Sequence, residues 1–149
     1  MKLNLGCSTD LRPDYINIDI YPPADELVDL SKAWPWSDSS VEYIRAHDIV
    51  EHLPSKILTM NEAWRVLRPG GKFEIFVPTT DGRGAFQDPT HVSFWTPNDL
   101  FYFTAGVPER ERFGKSYGIL ARFRIVSQQH SEYSNKVWKL MAVLEAVKA

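Results

Sequence analysis

Residues 41–78 constrain the fold of this chain more than any other stretch. Val41–Ala46 reads as a strand, and a helix start is expected around Asp48. Ile57, Met60, Trp64 and Leu67 then recur at steps of three and four, which puts them on one helix face. Ser55 stands where its hydroxyl would cap that helix, and Arg65 and Arg68 lie near its C-terminal dipole. Pro69-Gly70-Gly71 would end it, and Lys72–Pro78 (KFEIFVP) follows as a buried strand. Strands separated by helical or crossover segments argue for a parallel α/β sheet.

The flanking segments extend that sheet. Lys2–Leu5 is a short β-rich start ending in the turn Gly6-Cys7-Ser8. Ile16–Ile20 alternates apolar and polar until Pro22-Pro23 stops it. Glu26–Leu30 is a weaker strand, and Trp34–Ser40 is turn chemistry. Thr96-Pro97-Asn98-Asp99 combines a capping hydroxyl, Pro at the first helical position and an acid at the third, so a helix should run to about Phe103, with Gly106 closing it. Arg122–Tyr133 and Lys136–Val147 read as an antiparallel hairpin around Ser134-Asn135 at one edge of the sheet. Ligands of such sheets bind beyond the carboxyl ends of the strands. That places Gly6, Cys7, Ser8, Asp19, Asp29, His47 and Asp48 along one rim.

At 149 residues the chain is expected to be one domain, spanning 1–149. No apolar run approaches the roughly 18 residues of a membrane helix, and the single cysteine, Cys7, suits a reducing cytosol, so a cytoplasmic protein without membrane partners is expected. A net charge of −2 leaves no nucleic-acid footprint. The charge is uneven: residues 1–51 carry ten acidic and four basic side chains, the remainder nine and thirteen. An acidic N-terminal half can host a cationic ligand.

A glycine directly after a buried first strand lets a ligand approach the backbone, and an acid ending the second strand can accept both hydroxyls of a ribose. The combination indicates an adenosine-type ligand. Leu3-Asn4-Leu5-Gly6-Cys7-Ser8, Tyr15–Asp19, Asp29-Leu30-Ser31 with Trp34-Pro35-Trp36, Ala46–Leu53 (AHDIVEHL) and Arg65–Gly71 (RVLRPGG) resemble, in order and spacing, the class I S-adenosylmethionine-dependent methyltransferases. The resemblance implies a Rossmann-like, seven-stranded, mostly parallel sheet whose final strand is antiparallel. It further implies that Gly6, Cys7 and Ser8 contact the methionine part of S-adenosyl-L-methionine and that Asp19 binds its ribose. Ile20, Asp29 and Leu30 would meet the adenine, and His47 would line the sulfonium side, next to Asp48.

Three departures from the family pattern stand out. Ser8 replaces an expected second glycine, Asp48 stands where relatives often carry histidine, and only nine residues, Cys7–Tyr15, link the first two strands. A helix of average length, about 11–12 residues, does not fit there, so the first crossover helix should be shortened or missing. With no helices ahead of the first strand, the site is expected to be open, closed by residues 81–118 as a substrate-side insertion or by a partner. Within 81–118, His91 oriented by Asp88 is the candidate general base. The competing reading is a local turn. Phe94 and Trp95 are candidate substrate contacts, while the other aromatics of this stretch read as core. A small-molecule acceptor is expected, with a homo-oligomer or protein partner left open. The alternative is a non-catalytic domain of the same fold that binds the cofactor or a protein. His47, Asp48, Glu51 and His52 resemble metal-binding pairs, but His47 and His52 are five residues apart rather than the four that share a helix face, so no metal is expected. Cys7 as a reactive thiol lacks the helix N-terminus that would activate it. The excess of base among Arg110, Arg112, Lys115, Arg122 and Arg124 reads as a solvated loop.

Overall fold

The computed structural model describes residues 1–149. Its strands are β1 (Lys2–Leu5), β2 (Ile16–Asp19), β3 (Glu26–Leu27), β4 (Val41–His47), β5 (Leu67–Pro78), β6 (Phe123–Ser134) and β7 (Val137–Ala146). They form one seven-stranded sheet in the order β3-β2-β1-β4-β5-β7-β6. β1 to β5 are mutually parallel, and β7 runs antiparallel to both β5 and β6. This is the expected Rossmann-like sheet. No helix joins β1 to β2, as the length of that link requires.

Period-two alternation decides which face is buried. Ile44, Ala46, Phe73, Ile75, Val77, Leu140, Ala142 and Leu144 are fully or almost fully buried, and the residues between them on β4, β5 and β7 are half-buried. The core therefore lies on one side of the sheet. Helix α1 (Lys56–Val66) packs there through Met60, Ala63 and Val66, with its N-terminus capped by the Ser55 side chain, which accepts from the Leu58 N–H at 3.0 Å. The opposite face carries a polar ladder: Arg45 meets Asp10 at 3.3 Å, Tyr43 donates to Glu74 at 2.7 Å, and Lys72 meets Glu145 at 2.7 Å.

Several boundaries differ from expectation for local reasons. Leu67 already has extended geometry, so α1 ends at Val66 and Pro69-Gly70-Gly71 lies inside β5, where the pairing with β4 shifts register. Instead of a helix at Asp48 there is a 3₁₀ turn, Val50–His52. Thr96 and Asp99 form the expected capping box, but Pro97–Phe103 is 3₁₀ rather than α. The hairpin turns on Asn135 and Lys136, one residue later than expected, with φ of 47° and 62°. Two positive φ values match the twist of a tight hairpin, and Asn tolerates them. Two helices were not anticipated: α2 (Gly84–Gln87) and α3 (Pro108–Tyr117). α3 carries little apolar periodicity, yet Pro108 at its start and Gly118 just past its end, φ 75°, frame it.

Candidate functional site

The first four strands end at one rim, and the chain there is shaped by backbone donors. Gly6 turns out of β1 with φ +64°, and the Cys7 N–H returns to the Ile18 carbonyl of β2 at 3.0 Å. Asp19, the last residue of β2, accepts from the Ser8 N–H at 2.8 Å on one oxygen and from the Ile20 N–H at 2.7 Å on the other. Each carboxylate oxygen keeps acceptor capacity. Beside it lies a cavity of about 360 Å³ lined by Gly6, Asp19, Ile20, Val28, Asp29, Leu30, Ser31, Ile49, His52 and Leu53. Its size falls in the small-molecule range of roughly 300–1,000 Å³, and half its walls are apolar.

A second cavity of about 260 Å³ adjoins it, lined by Asp48, Glu51, His52, Pro78, Gly84, Gln87, Asp88, His91, Val137 and Lys139. His52 lines both. Residues 91–93 are brought to residues 50–52 by hydrogen bonds: the Val92 and Ser93 N–H groups both donate to the Glu51 carbonyl, and the Ser93 hydroxyl donates to Val50 O at 3.0 Å. Glu51 is 2% exposed, its Oε2 has no hydrogen-bond partner, and burial pushes its carboxyl up to about 7. On the same cavity wall Lys139 pairs with Asp48 at 2.9 Å.

Residues 8–75 match the family described as methyltransferase domain. That match spans just under half of the chain and likens this part of it to methyltransferase domains. No curated protein sequence matches it. Among solved structures, a SAM-dependent methyltransferase from Methanosarcina mazei superposes with a TM-score of 0.66 at 14% identity, over 98% of this chain and 92% of that one. A chain from the complex of the Haloferax volcanii Trm112 methyltransferase activator with a methyltransferase gives 0.68 at 15%, over 99% and 82%. The Burkholderia thailandensis 1,6-didemethyltoxoflavin-N1-methyltransferase, solved with bound 1,6-didemethyltoxoflavin and S-adenosylhomocysteine, gives 0.63 at 14%, over 99% and 71%. At these identities the likeness is one of fold.

Gly6, Asp19, Ile20, Asp29 and Leu30 gather at the first cavity. Cys7 and Ser8 do not line it. Cys7 is buried, and burial followed by the nearby Asp19 charge raises its thiol pKa, which disfavours the thiolate. His47 is turned away from both cavities: its Nδ1 meets Arg45 at 3.0 Å and its Nε2 meets Glu74. Asp48 lines the second cavity. The Asp29 carboxylate accepts the Ser31 N–H and hydroxyl, at 3.0 and 2.6 Å, which holds it below the usual carboxylate range.

The 81–118 residues divide. His91 is at the second cavity, but Asp88 does not orient it. The Asp88 carboxylate lies 3.6 Å from His91 Nε2 and caps its own turn, accepting from the Thr90 N–H and hydroxyl at 2.8 and 2.7 Å. His91 is held instead by its Nδ1, 3.0 Å from Ala85 O. Trp95 is 0% exposed and donates to Ser93 Oγ, so it is a core residue with no surface for a substrate. Phe94 is exposed and stacks on Phe86 at 5.4 Å, outside both cavities. Three of the five bases of the basic stretch pair within the chain: Arg110 donates to Ala121 O, Arg122 meets Glu111 and Arg124 meets Glu145. What the sequence reading missed is that Glu51, His52 and His91 converge. The first two were noted as candidates, but nothing in sequence spacing ties them to a histidine forty positions away.

Proposed function

We propose that this protein is an S-adenosylmethionine-dependent methyltransferase that holds its cofactor in the first cavity and a small acceptor in the second. The observation that carries this reading is His52, the wall common to two adjoining cavities, one with a ribose-type acid at its rim and one with proton-accepting side chains. Asp19 offers free lone pairs to a ribose diol, and Ile20, Val28, Leu30 and Leu53 give an apolar bed for a base. Asp19 and Asp29 put negative charge beside a cationic ligand. When bound, the cofactor supplies a methyl group on a positively charged sulfur, an electrophile that needs no further activation. The protein then has to align an acceptor and take its proton. His91, whose Nδ1–H is given to Ala85 O, leaves Nε2 as the proton acceptor on the second cavity. Of residues 81–118, Gly84 and Gln87 of α2, with Asp88 and His91, form the acceptor-side wall. An unpaired, buried Cys7 suits a cytoplasmic setting.

A second reading, a cofactor-binding domain acting through a protein partner, draws on one observation. The Ser8 N–H, which could serve the cofactor's carboxylate, is already taken by Asp19, and no helix N-terminus stands behind it.

Calorimetric titration with S-adenosylmethionine and S-adenosylhomocysteine tests the assignment. Asp19→Ala removes two hydrogen bonds to charge, worth about 1.5–3 kcal/mol each, so affinity should fall by at least about tenfold. Circular dichroism of the variant checks that the loss is local. Absence of binding by the wild type, or equal binding by a folded Asp19→Ala, refutes it. Binding without turnover on a panel of small nucleophiles would favour the second reading.

A further inference from the structure

The geometry points to a divalent transition-metal site formed by Glu51, His52 and His91 at the meeting of the two cavities. The donor atoms come from two segments of chain and lie within 4.8 Å of one another. His52 Nε2 is 3.8 Å from Glu51 Oε1, and His91 Nε2 is 4.0 Å from the same oxygen. The two rings meet edge to face with centroids 4.8 Å apart.

Both imidazoles are prepared for a metal in the same way. His91 Nδ1 lies 3.0 Å from Ala85 O, and a carbonyl only accepts, so Nδ1 carries the proton and the Nε2 lone pair is free. His52 Nδ1 lies 3.3 Å from Thr90 O and 3.1 Å from the Thr90 hydroxyl, which fixes the same tautomer. Metal-bound histidines are held in this way, by an outer acceptor on the second ring nitrogen. Glu51 provides the independent observation. Its side chain is 2% exposed, it lines the second cavity, and its Oε2 has no partner, whereas a buried carboxylate ordinarily has its lone pairs satisfied. A cation between the three would supply what is missing.

The distances are those of a site that tightens on loading. Ligand bonds of about 2.0–2.1 Å in a tetrahedral arrangement put donors roughly 3.3 Å apart, so each histidine has to approach Glu51 by about half an ångström. Two neutral nitrogens and one carboxylate select a zinc-type ion over magnesium or calcium, which take oxygen donors. Three protein ligands leave a position open toward the second cavity, where Asp88 lies 3.6 Å from His91 Nε2. With a metal on His91 Nε2, that nitrogen is a ligand, and an acceptor hydroxyl bound at the open position loses its proton more readily. The site stands on this geometry whether or not the first cavity takes S-adenosylmethionine.

The test is titration of the chelator-treated full chain with Zn²⁺ by calorimetry and with paramagnetic Co²⁺ by NMR of the histidine ring protons. One equivalent should bind. Co²⁺ should broaden His52 and His91 and spare His47 and His130, which pair with Glu74 and with Thr79 and Asp81. Glu51→Gln, His52→Ala and His91→Ala should each weaken Zn²⁺ binding by at least about tenfold. Because the NMR arm uses the unaltered protein, an unstable variant does not leave the matter open. No binding, ring signals of His52 and His91 unchanged at one equivalent of Co²⁺, or three folded variants that bind like wild type would each overturn the site. Cofactor titration is a separate readout, so failure of the methyltransferase reading leaves this result interpretable.

Discussion

Gly6→Ala separates two costs that meet at the entrance of the first cavity. Gly6 has φ +64°, a region where an L residue with a Cβ costs roughly 1–2 kcal/mol. A Cβ there would also stand 2.7, 2.8 and 2.9 Å from Cβ, Cγ1 and Cδ1 of Ile49. Carbon atoms rest at about 3.5–4.0 Å, so Ile49 would have to retreat by about 1 Å. Its own Cβ is among the atoms struck, so a rotamer change is not enough, and the backbone leading into the Val50–His52 turn must move. Overpacking of this kind costs about 1–3 kcal/mol. Gly6→Ala should therefore lose about 2–5 kcal/mol in urea unfolding, a large part of a typical total of about 5–15. Ile49→Ala in the same chain removes two of the three struck atoms, so the double variant should be more stable than the sum of the singles by about 1–2 kcal/mol. The φ cost should remain. A Gly6→Ala protein within about 0.5 kcal/mol of wild type, or two substitutions that simply add, would refute the argument. Both residues line the first cavity, so ligand binding should fall with Gly6→Ala as well.

Other consequences are equally direct. Glu62 is held below the usual carboxylate range first by its hydrogen bonds to Arg65, which also ties down Trp34 O and Trp36 O. That stabilisation is complete above about pH 4.3 and fades as pH falls through the lowered value. Glu62→Gln should thus cost about 1–2 kcal/mol at pH 7 and converge with wild type as pH falls below the lowered value, as read by denaturation across acid pH; a constant difference would contradict it. Trp95→Ala should lose about 3–5 kcal/mol because the site is fully buried, while a substrate-contact role would leave stability unchanged. Ser55→Ala removes the α1 cap and should cost about 1 kcal/mol by the same measurement.

How much was legible depends on the range of the signal. The β4–α1–β5 unit, the Ser55 cap and the Thr96–Asp99 box rest on spacings within a few residues, and these are where pattern and structure agree. Gly6, Asp19 and Asp29 were legible because each lies at or just beyond the end of a strand and parallel strands end together, while Ile20 and Leu30 came only with the family resemblance. His47 escaped because alternation along β4 puts it on the face opposite Ala46. The second cavity was not legible as a whole. Its histidines are joined by the bonds of Val92 and Ser93 to Glu51 O, and backbone groups leave no mark in composition. α3 was hidden by its polarity, though its Pro and Gly boundaries were in view.

The short first crossover shows how side chains can stand in for a missing helix. A helix would satisfy its own backbone groups, whereas the nine residues after Gly6 need partners from elsewhere. Asn4 and Asn17 provide them from inside β1 and β2, where alternation alone would have read them as solvent-facing. Both are buried, at 0% and 5% exposure. Asn4 donates to Asp10 O at 2.8 Å and to Asn17 Oδ1 at 2.9 Å, and the same Asn17 oxygen accepts the Arg12 N–H at 2.8 Å. The Asn17 amide then donates to Asp25 at 2.8 Å, linking the loop to the segment that leads into β3. A buried amide with every group occupied fixes its neighbours, because leaving one unpaired costs about 1–3 kcal/mol. The loop that carries Ser8 is therefore positioned by three polar side chains, Asn4, Asn17 and Asp19. The electrostatic help a helix dipole would give an anionic ligand has been replaced by geometric precision at Asp19. If the first cavity takes the cofactor as proposed, recognition there would rest on the ribose and base side more than on the carboxylate.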